Sequence, residues 1–439
     1  MQIKSLPINK PLSGKINIPG DKSISHRSVI ISSISKGKSI IKNLLESEDV
    51  QKTLNILKEL GVKIQKKQNK YIINGKGLYS LKKSKKKLYL GNSGTSARLL
   101  IGLLSAQKFQ STFTGDKSLN KRPMDRIINP LIKMGAKFKY GKNKKLPIKI
   151  LGGQTLKPIK YSLSIPSAQI KSGIILASLY SKGKTIIIEK NQTRDHTEKL
   201  LKFFNSNIIV KKLNKNKKII IKGKKELKAK NIIIPSDFSS ASFFIIAALI
   251  IKDSKLTIKN VNLNKTRTGL LTALNKMNAN IKIRNKRNIN GELVGDIYVS
   301  YSRLKGCILK KDISSLMIDE YPILAVASSF ASTSSIFYGL DELKHKESNR
   351  LLAIKNNLIK CGIKCYIKKN NLVINPNIRS FPNKIIKINS NKDHRIAMAF
   401  AIMGMVSKKG IIINEAEYIN TSFPNFTKKI NRIGAKIIE

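Results

Sequence analysis

The sequence predicts an α/β protein of two domains, each built from three βαβαββ repeats. Three observations carry that prediction. Six segments share one shape, a small or polar start followed by a helix rich in Ala, Ile and Ser, and they recur roughly 70–80 residues apart. Ile-rich runs with few helix formers follow each of these helices and suit buried strands. Second helices with apolar residues at spacings of three and four then close most repeats before a Gly or Asn turn. A period this long exceeds that of solenoid repeats, about 20–50 residues.

The repeats run in order. The first starts near Asp21, continues through a strand at Lys38–Lys42, and has a second helix in TLNILKELGVKI. The second starts near Asn92, in GNSGTSARLLIGLLSA, with INPLIKMGAKFKY as its second helix. The third starts at Ser167, in PSAQIKSGIILASLY, with a strand at Lys184–Glu189. The fourth starts at Asp237, in PSDFSSASFFIIAALI, with a strand at Lys255–Ile258 and the second helix GLLTALNKMNANIKI. The fifth starts at Asp319, in IDEYPILAVASSFA, followed by Ser334–Tyr338 and LIKCGIKCYI. The sixth starts at Asp393, in KDHRIAMAFAIMGM, followed by Gly410–Asn414 and INRIGAKII. This last repeat lacks closing strands, and the stretch 1–18 is expected to supply one. The chain then begins in the second domain, crosses near residue 19 and returns near 236. The expected domains are 19–235, and 1–18 with 236–439, with the active site in the cleft between them.

Composition narrows the function classes. The chain has 439 residues, is 41% hydrophobic and carries a formal net charge of +60. Lysine is smeared along the whole chain together with Asn and Ile, arginine is scarce beside it, there is no Trp, and aromatics are 6%. A nucleic-acid surface interleaves aromatics with Arg, so the charge reads as compositional drift and no nucleic-acid partner is expected. The longest apolar run, 243–251, is too short to span a membrane, and the first residues lack the apolar core of a signal peptide. Three cysteines make no disulfide framework. These features point to a soluble cytoplasmic protein.

The helix starts carry the chemistry. Pro19-Gly20-Asp21-Lys22-Ser23-Ile24-Ser25-His26-Arg27 is a loop entering a helix, and free N–H groups there attract anions. Asn92-Ser93-Gly94 brings backbone close to a ligand. The loop 115–124 adds Arg122, and Ser167 and Gln169 suit hydroxyl or carboxylate contacts. Lys346, Glu347 and Arg350 precede or open a helix, and Arg395 follows Asp393. Taken singly, each cation reads as a solvated surface charge and Asp319 as a helix N-cap. Together they form a cationic pocket for polyanionic small molecules, with Asp319 and Glu347 left for proton transfer. No P-loop, zinc motif or dinucleotide fingerprint appears, so no metal or cofactor is expected.

Read end to end, PGDKSISHR, GNSGTSARLL, GDKSLNKRPM, PSAQIKS, TRDHTEKL, IDEYPILAVA, KESNRL, DHRIAMAFA and SFPNF resemble, in order, the motifs of the 5-enolpyruvylshikimate-3-phosphate synthases, members of the enolpyruvyl transferase family. The resemblance implies a two-domain inside-out α/β barrel with pseudo-threefold symmetry, a monomeric enzyme of aromatic amino acid biosynthesis, and a glyphosate target. It implies transfer of the enolpyruvyl group from phosphoenolpyruvate to the 5-hydroxyl of shikimate 3-phosphate, through a tetrahedral intermediate and with release of phosphate. It further implies that Lys22, Ser23, Arg27, Ser167, Gln169, Asp319 and Lys346 hold shikimate 3-phosphate. Lys22, Gly94, Arg122, Gln169, Arg350 and Arg395 hold phosphoenolpyruvate, and Asp319, Glu347 and Lys22 are catalytic. The sequence departs from many relatives at Leu99, Ala168, Glu342 and Thr421; Thr421 stands where many have Lys, which puts one phosphoenolpyruvate contact in doubt. Gly94 implies glyphosate sensitivity. The competing readings are a UDP-N-acetylglucosamine enolpyruvyl transferase, whose many members carry a Cys where Asp116 stands here, and a basic nucleic-acid-binding protein on the same fold.

Overall fold

In the computed structural model of the chain, residues 1–214, 216–377 and 381–439 are described. Among them, strands assemble into six four-stranded sheets that repeat one plan. In the third repeat, Lys160–Ser162 runs parallel to Lys184–Glu189, which pairs antiparallel with Asn216–Lys222, which pairs in turn with Asn207–Leu213. The fifth repeats this with Ile308–Leu309, Ser335–Phe337, Asn371–Asn375 and Lys364–Lys368. The mixed α/β class of the sequence reading therefore holds.

Three sheets borrow strands across long stretches of sequence. Gln2–Ser5 lies between Ile411–Asn414 and Ile437–Ile438, antiparallel to both, and completes the sheet of the sixth repeat. Ser13–Asn17 pairs parallel with Lys255–Asn262 in the fourth. Ile232–Ile233 pairs parallel with Lys36–Lys42 in the first.

The first helix of each repeat is its buried element. All 13 residues of Phe238–Ile250 and all 11 of His394–Gly404 are buried, as expected of helices apolar or small on every side. The second helices are amphipathic: Glu48–Glu59 buries Val50, Leu54, Ile56 and Leu57 and exposes Asn55, Lys58 and Glu59. The few charged residues on these buried helices lie in their N-terminal halves, as Arg27, Arg98, Lys171 and Arg395 do. Among the described residues, no helix is long and apolar enough to cross a membrane.

Contacts divide the chain into two compact units. One holds Gly20–Ile234 with Ile289–Glu292; the other holds Met1–Pro19, Pro235–Asn288 and Leu293–Glu439. Each has its own apolar core. Within the 20–234 unit, Gly102 of the helix Gly94–Leu104 faces Gly173 of the helix Ala168–Ser178. A Cβ at residue 102 would lie 2.2 Å from the Gly173 carbonyl oxygen, so only glycine permits this crossing. That close approach sets the start of one helix beside the start of the other.

Candidate active site

The predicted site residues form two clusters, one in each compact unit. In the 20–234 unit, Asp21 caps the helix Lys22–Ser33, its Oδ1 accepting from the Ile24 N–H at 2.9 Å. The cap fixes the first turn, from which Lys22, Ser23 and Arg27 project. The Lys22 ammonium lies 2.5 Å from Asp49. Arg27 is 3% exposed and its guanidinium is fully oriented. Its Nε donates to Thr197 Oγ1 at 2.7 Å, Nη2 to Ser172 Oγ at 2.9 Å and Nη1 to the Ser23 carbonyl at 2.9 Å. Arg194, outside the residues predicted for the site, brings Nη1 within 3.4 Å of Ser23 Oγ.

Burial, with Lys22 and Arg27 beside it, holds His26 well below the usual histidine range, so its ring is neutral at pH 7. Its Nδ1 meets Thr53 Oγ1 at 2.8 Å, and Thr53 meets Ser96 Oγ at 2.6 Å. This chain of small polar groups ties the helix carrying Lys22 to the helix that begins at Gly94.

The second half of this cluster lies where the glycine crossing brings helix starts together. Ser93 caps Gly94–Leu104 and Ser167 caps Ala168–Ser178. Gln169 is held at both ends: Oε1 accepts from Arg98 Nη1 at 3.1 Å, and Nε2 donates to Thr95 Oγ1 at 3.0 Å. Arg122 donates from Nη2 to Asn92 Oδ1 at 2.6 Å. Gly94 sits between the two arginines, since a Cβ there would be 2.9 Å from Arg98 Nη1 and 3.0 Å from Arg122 Nη1.

The cluster of the 235–439 unit is built around Arg350, the first residue of the helix Arg350–Lys360 and 1% exposed. Its Nε donates to Asp393 Oδ2 at 2.8 Å, Nη1 to Asp319 Oδ1 at 3.0 Å and Nη2 to Glu347 Oε2 at 2.5 Å. Burial alone would lower its pKa, but Asp393, Glu347 and Asp319 outweigh that and raise it. Asp319 also faces Lys346 at 3.9 Å and Arg395 at 3.7 Å. Three cations thus surround one partly exposed carboxylate.

One expectation needs adjustment here. Asp319 is not a helix cap: Tyr321–Ser329 begins two residues later, with Glu320 at its N-cap position and Pro322 in its first turn. Proline fixes the backbone angle of a first helical turn and lacks the N–H that turn would leave unpaired, so the start shifts past Asp319, whose carboxylate faces Arg350, Lys346 and Arg395. Thr421 is 8% exposed, its hydroxyl donating to the Tyr418 carbonyl at 2.7 Å and lying 3.4 Å from His394 Nδ1. Its partners are therefore local ones.

Asp195, His196 and Glu292 place ligand-type atoms within 4.8 Å of one another. Lys199 already sets an ammonium 3.1 Å from Glu292 and 3.4 Å from Asp195, and His196 Nδ1 lies 2.7 Å from Glu292. Although burial pushes the Glu292 carboxyl up, His196 and Lys199 pull it below the usual range. Both carboxylates have the Lys199 ammonium as a partner.

The sequence reading missed Arg98, Arg194 and Asp49. Arg98 and Arg194 lie inside the quoted strings GNSGTSARLL and TRDHTEKL, but nothing in helical spacing distinguishes them from surface cations. Only the fold shows what they touch.

A family model described as EPSP synthase (3-phosphoshikimate 1-carboxyvinyltransferase) matches residues 6–430. A relative named 3-phosphoshikimate 1-carboxyvinyltransferase, from Ruthia magnifica subsp. Calyptogena magnifica, is 45% identical over 426 residues, covering 97% of this chain and 96% of its own. A protein of the same name from Petrotoga mobilis is 44% identical over 436 residues, covering 99% of each. The solved EPSP synthase from Acinetobacter baumannii aligns with a TM-score of 0.88 at 41% identity, over 100% of this chain and 99% of that one. The enolpyruvyl transferase NikO from Streptomyces tendae, at 12% identity and a TM-score of 0.80, shares the fold.

Proposed function

We propose that this chain, which belongs to the EPSP synthase (3-phosphoshikimate 1-carboxyvinyltransferase) family, performs that reaction with residues of the clusters just described. The enolpyruvyl group of phosphoenolpyruvate passes to the 5-hydroxyl of shikimate 3-phosphate, and phosphate is released. The observation that carries the assignment of roles is the arrangement at Arg350. One buried guanidinium holds two carboxylates, Asp319 and Glu347, on its two terminal nitrogens.

Shikimate 3-phosphate is bound by Lys22, Ser23, Arg27, Ser167, Gln169 and Lys346. Arg194 joins them through its place beside Ser23. Phosphoenolpyruvate is bound by Lys22, Arg122, Gln169, Arg350 and Arg395, with Gly94 leaving room beside Arg122. Charge-assisted contacts of this kind contribute about 1.5–3 kcal/mol each.

Asp319 accepts the proton of the 5-hydroxyl as that oxygen attacks C2 of phosphoenolpyruvate. Glu347 delivers a proton to the methylene carbon C3. The product of this addition is a tetrahedral intermediate carrying both the ether oxygen and the phosphate on C2. Glu347, left ionised, then takes a proton back from C3; the C–H electron pair restores the double bond as the C2–O bond to phosphate breaks, and Asp319 returns its proton to the departing phosphate. Arg350 has a second effect. A substrate carboxylate that shares its Nη1 weakens the hold of Arg350 on Asp319, and a carboxylate less stabilised by a cation is a better base.

The three cysteines are free and buried, and burial pushes the Cys307 and Cys365 thiols up to about 11 and Cys361 to about 12. Free, buried thiols fit a reducing compartment such as the cytoplasm. The deciding experiment is phosphate release from phosphoenolpyruvate with shikimate 3-phosphate or UDP-N-acetylglucosamine as acceptor. Release with shikimate 3-phosphate alone is expected; release only with the sugar nucleotide overturns the assignment. Asp116, at the position where the rival family often has Cys, caps the short helix Lys117–Lys121 through a 2.7 Å bond from the Leu119 N–H.

A further inference from the structure

A second set of charged groups lies behind the acceptor cluster, and the functional reading leaves it unused. Lys171 is completely buried, yet its ammonium lies 2.9 Å from Glu189 Oε1 and 2.8 Å from Glu198 Oε1. Their side chains are 0% and 5% exposed. Burial pulls Lys171 down, but Glu198 and Glu189 outweigh it, so the lysine stays charged; burial pushes the Glu198 carboxyl up, against the pull of Lys171. Glu189 Oε1 also accepts from the Thr193 N–H at 2.9 Å and from its hydroxyl at 2.5 Å.

The neighbours of these residues in sequence matter most. Lys171 precedes Ser172 on the helix Ala168–Ser178, and Glu198 follows Thr197 on the helix His196–Phe203. The two helices are therefore joined by two adjacent rungs: the ion pair Lys171–Glu198 at 2.8 Å and the hydroxyl pair Ser172–Thr197 at 2.7 Å. The hydroxyl rung is what receives Arg27, through Nε at 2.7 Å and Nη2 at 2.9 Å. The Glu189–Thr193 bonds fix the residue before Arg194, which reaches Ser23. Gln169, by contrast, is held by Arg98 and Thr95, outside this set.

We propose that Lys171, Glu189 and Glu198 are positioning residues for the acceptor site: they fix the spacing of Ser172 and Thr197, and through those hydroxyls the aim of the Arg27 guanidinium. The inference rests on the reading that Arg27 binds shikimate 3-phosphate. A buried ion pair is a weak source of net stability but a strict one for geometry, because either charge left alone is costly. Partial loss of one charge-assisted hydrogen bond to a ligand weakens its binding by about tenfold.

The test is steady-state phosphate release by the full chain, with each substrate varied in turn. Glu198→Gln keeps the size of the side chain and removes its charge. It should raise the KM for shikimate 3-phosphate about tenfold, leaving kcat and the KM for phosphoenolpyruvate within about threefold. Thr197→Val should do the same, and the double variant should be little worse than either, because both act through Arg27. Lys171→Arg should retain most of the acceptor affinity that Lys171→Met loses. If Lys171→Met fails to fold, Glu198→Gln decides. An unchanged acceptor KM in Glu198→Gln, with a raised one in Thr197→Val, overturns the positioning role. Equal rises for both substrates reduce the set to ordinary core structure and overturn it too. An unchanged acceptor KM in Arg27→Ala instead removes the reading of Arg27, and this inference with it.

Discussion

Replacing Gly94 by alanine pits two effects of known size against each other. Gly94 is the first residue of a helix, and Ala is a better helix former than Gly by up to about 1 kcal/mol, so folding should not suffer. The added methyl, however, would sit 2.9 Å from Arg98 Nη1 and 3.0 Å from Arg122 Nη1, where ordinary contact begins near 3.4 Å. Both guanidinium tips must retreat by about half an ångström. Arg122 has slack, because its bond to Asn92 is 2.6 Å long. Arg98 has none: Nη1 bonds Gly94 O and Gln169 Oε1, both at 3.1 Å, and Nη2 bonds Pro123 O at 3.2 Å. Retreat stretches at least one of these beyond useful range and loosens Gln169. A hydrogen bond from a charged donor contributes about 1.5–3 kcal/mol. Weakening one such bond, together with the shift of Arg122, should cost about 1–2 kcal/mol of phosphoenolpyruvate binding, or about 5–30-fold in its KM. Phosphate release at saturating shikimate 3-phosphate measures this, with a thermal melt as the folding control. A KM for phosphoenolpyruvate within twofold of the parent, in a folded variant, would refute the crowding argument.

Three further outcomes are expected. Asp319→Asn and Glu347→Gln should each lower kcat by about 10²–10⁴-fold, the usual contribution of a positioned acid or base; near-parental turnover in both would sink their proton-transfer roles. The parent enzyme should lose phosphate release in millimolar glyphosate and the Gly94→Ala variant should lose less; unchanged parental turnover would contradict the reading of Gly94. Asp296 is buried and its carboxyl is held down at about 2: burial opposes this, but bonds from Lys259, the Asn260 N–H and Asn285 prevail. A lowered carboxyl stabilises the fold fully above its unfolded value of 3.8, and that contribution is lost as pH falls toward 2. Asp296→Asn should therefore flatten acid unfolding between about pH 4 and 2 and lower stability at pH 7 by about 1–3 kcal/mol; superimposable pH curves for variant and parent would count against it.

Much of the scaffold was legible because period and composition act locally. The Lys184–Glu189 strand and the caps at Asp21, Ser167, Asp237 and Asp393 stand where the sequence places them. Strand ends elsewhere moved by a residue or more: Lys255–Ile258 extends to Asn262 because a bulge lets pairing resume at Val261. The borrowing of Ser13–Asn17 and Ile232–Ile233 by distant sheets was not legible, since pairing partners leave no mark in local periodicity. The same holds within the candidate site. Lys22, Arg122 and Arg350 stood out by position, whereas Asp49, Arg98 and Arg194 gain meaning only from what they touch. Asp319 shows the limit of cap reasoning, because Pro322 moved the helix start past it.

The strand Gln2–Ser5 sets a timetable for folding. Its partners, Ile411–Asn414 and Ile437–Ile438, leave the ribosome some four hundred residues later. The 20–234 unit holds nearly all its strands in one continuous stretch, so it can consolidate while synthesis continues. The sheet of the sixth repeat must wait, with its earliest strand unpaired and exposed for the whole interval. That strand is only four residues long and carries Lys4, features that discourage pairing with the wrong neighbour. A deletion of a few residues at this end would therefore wound the part of the molecule made last.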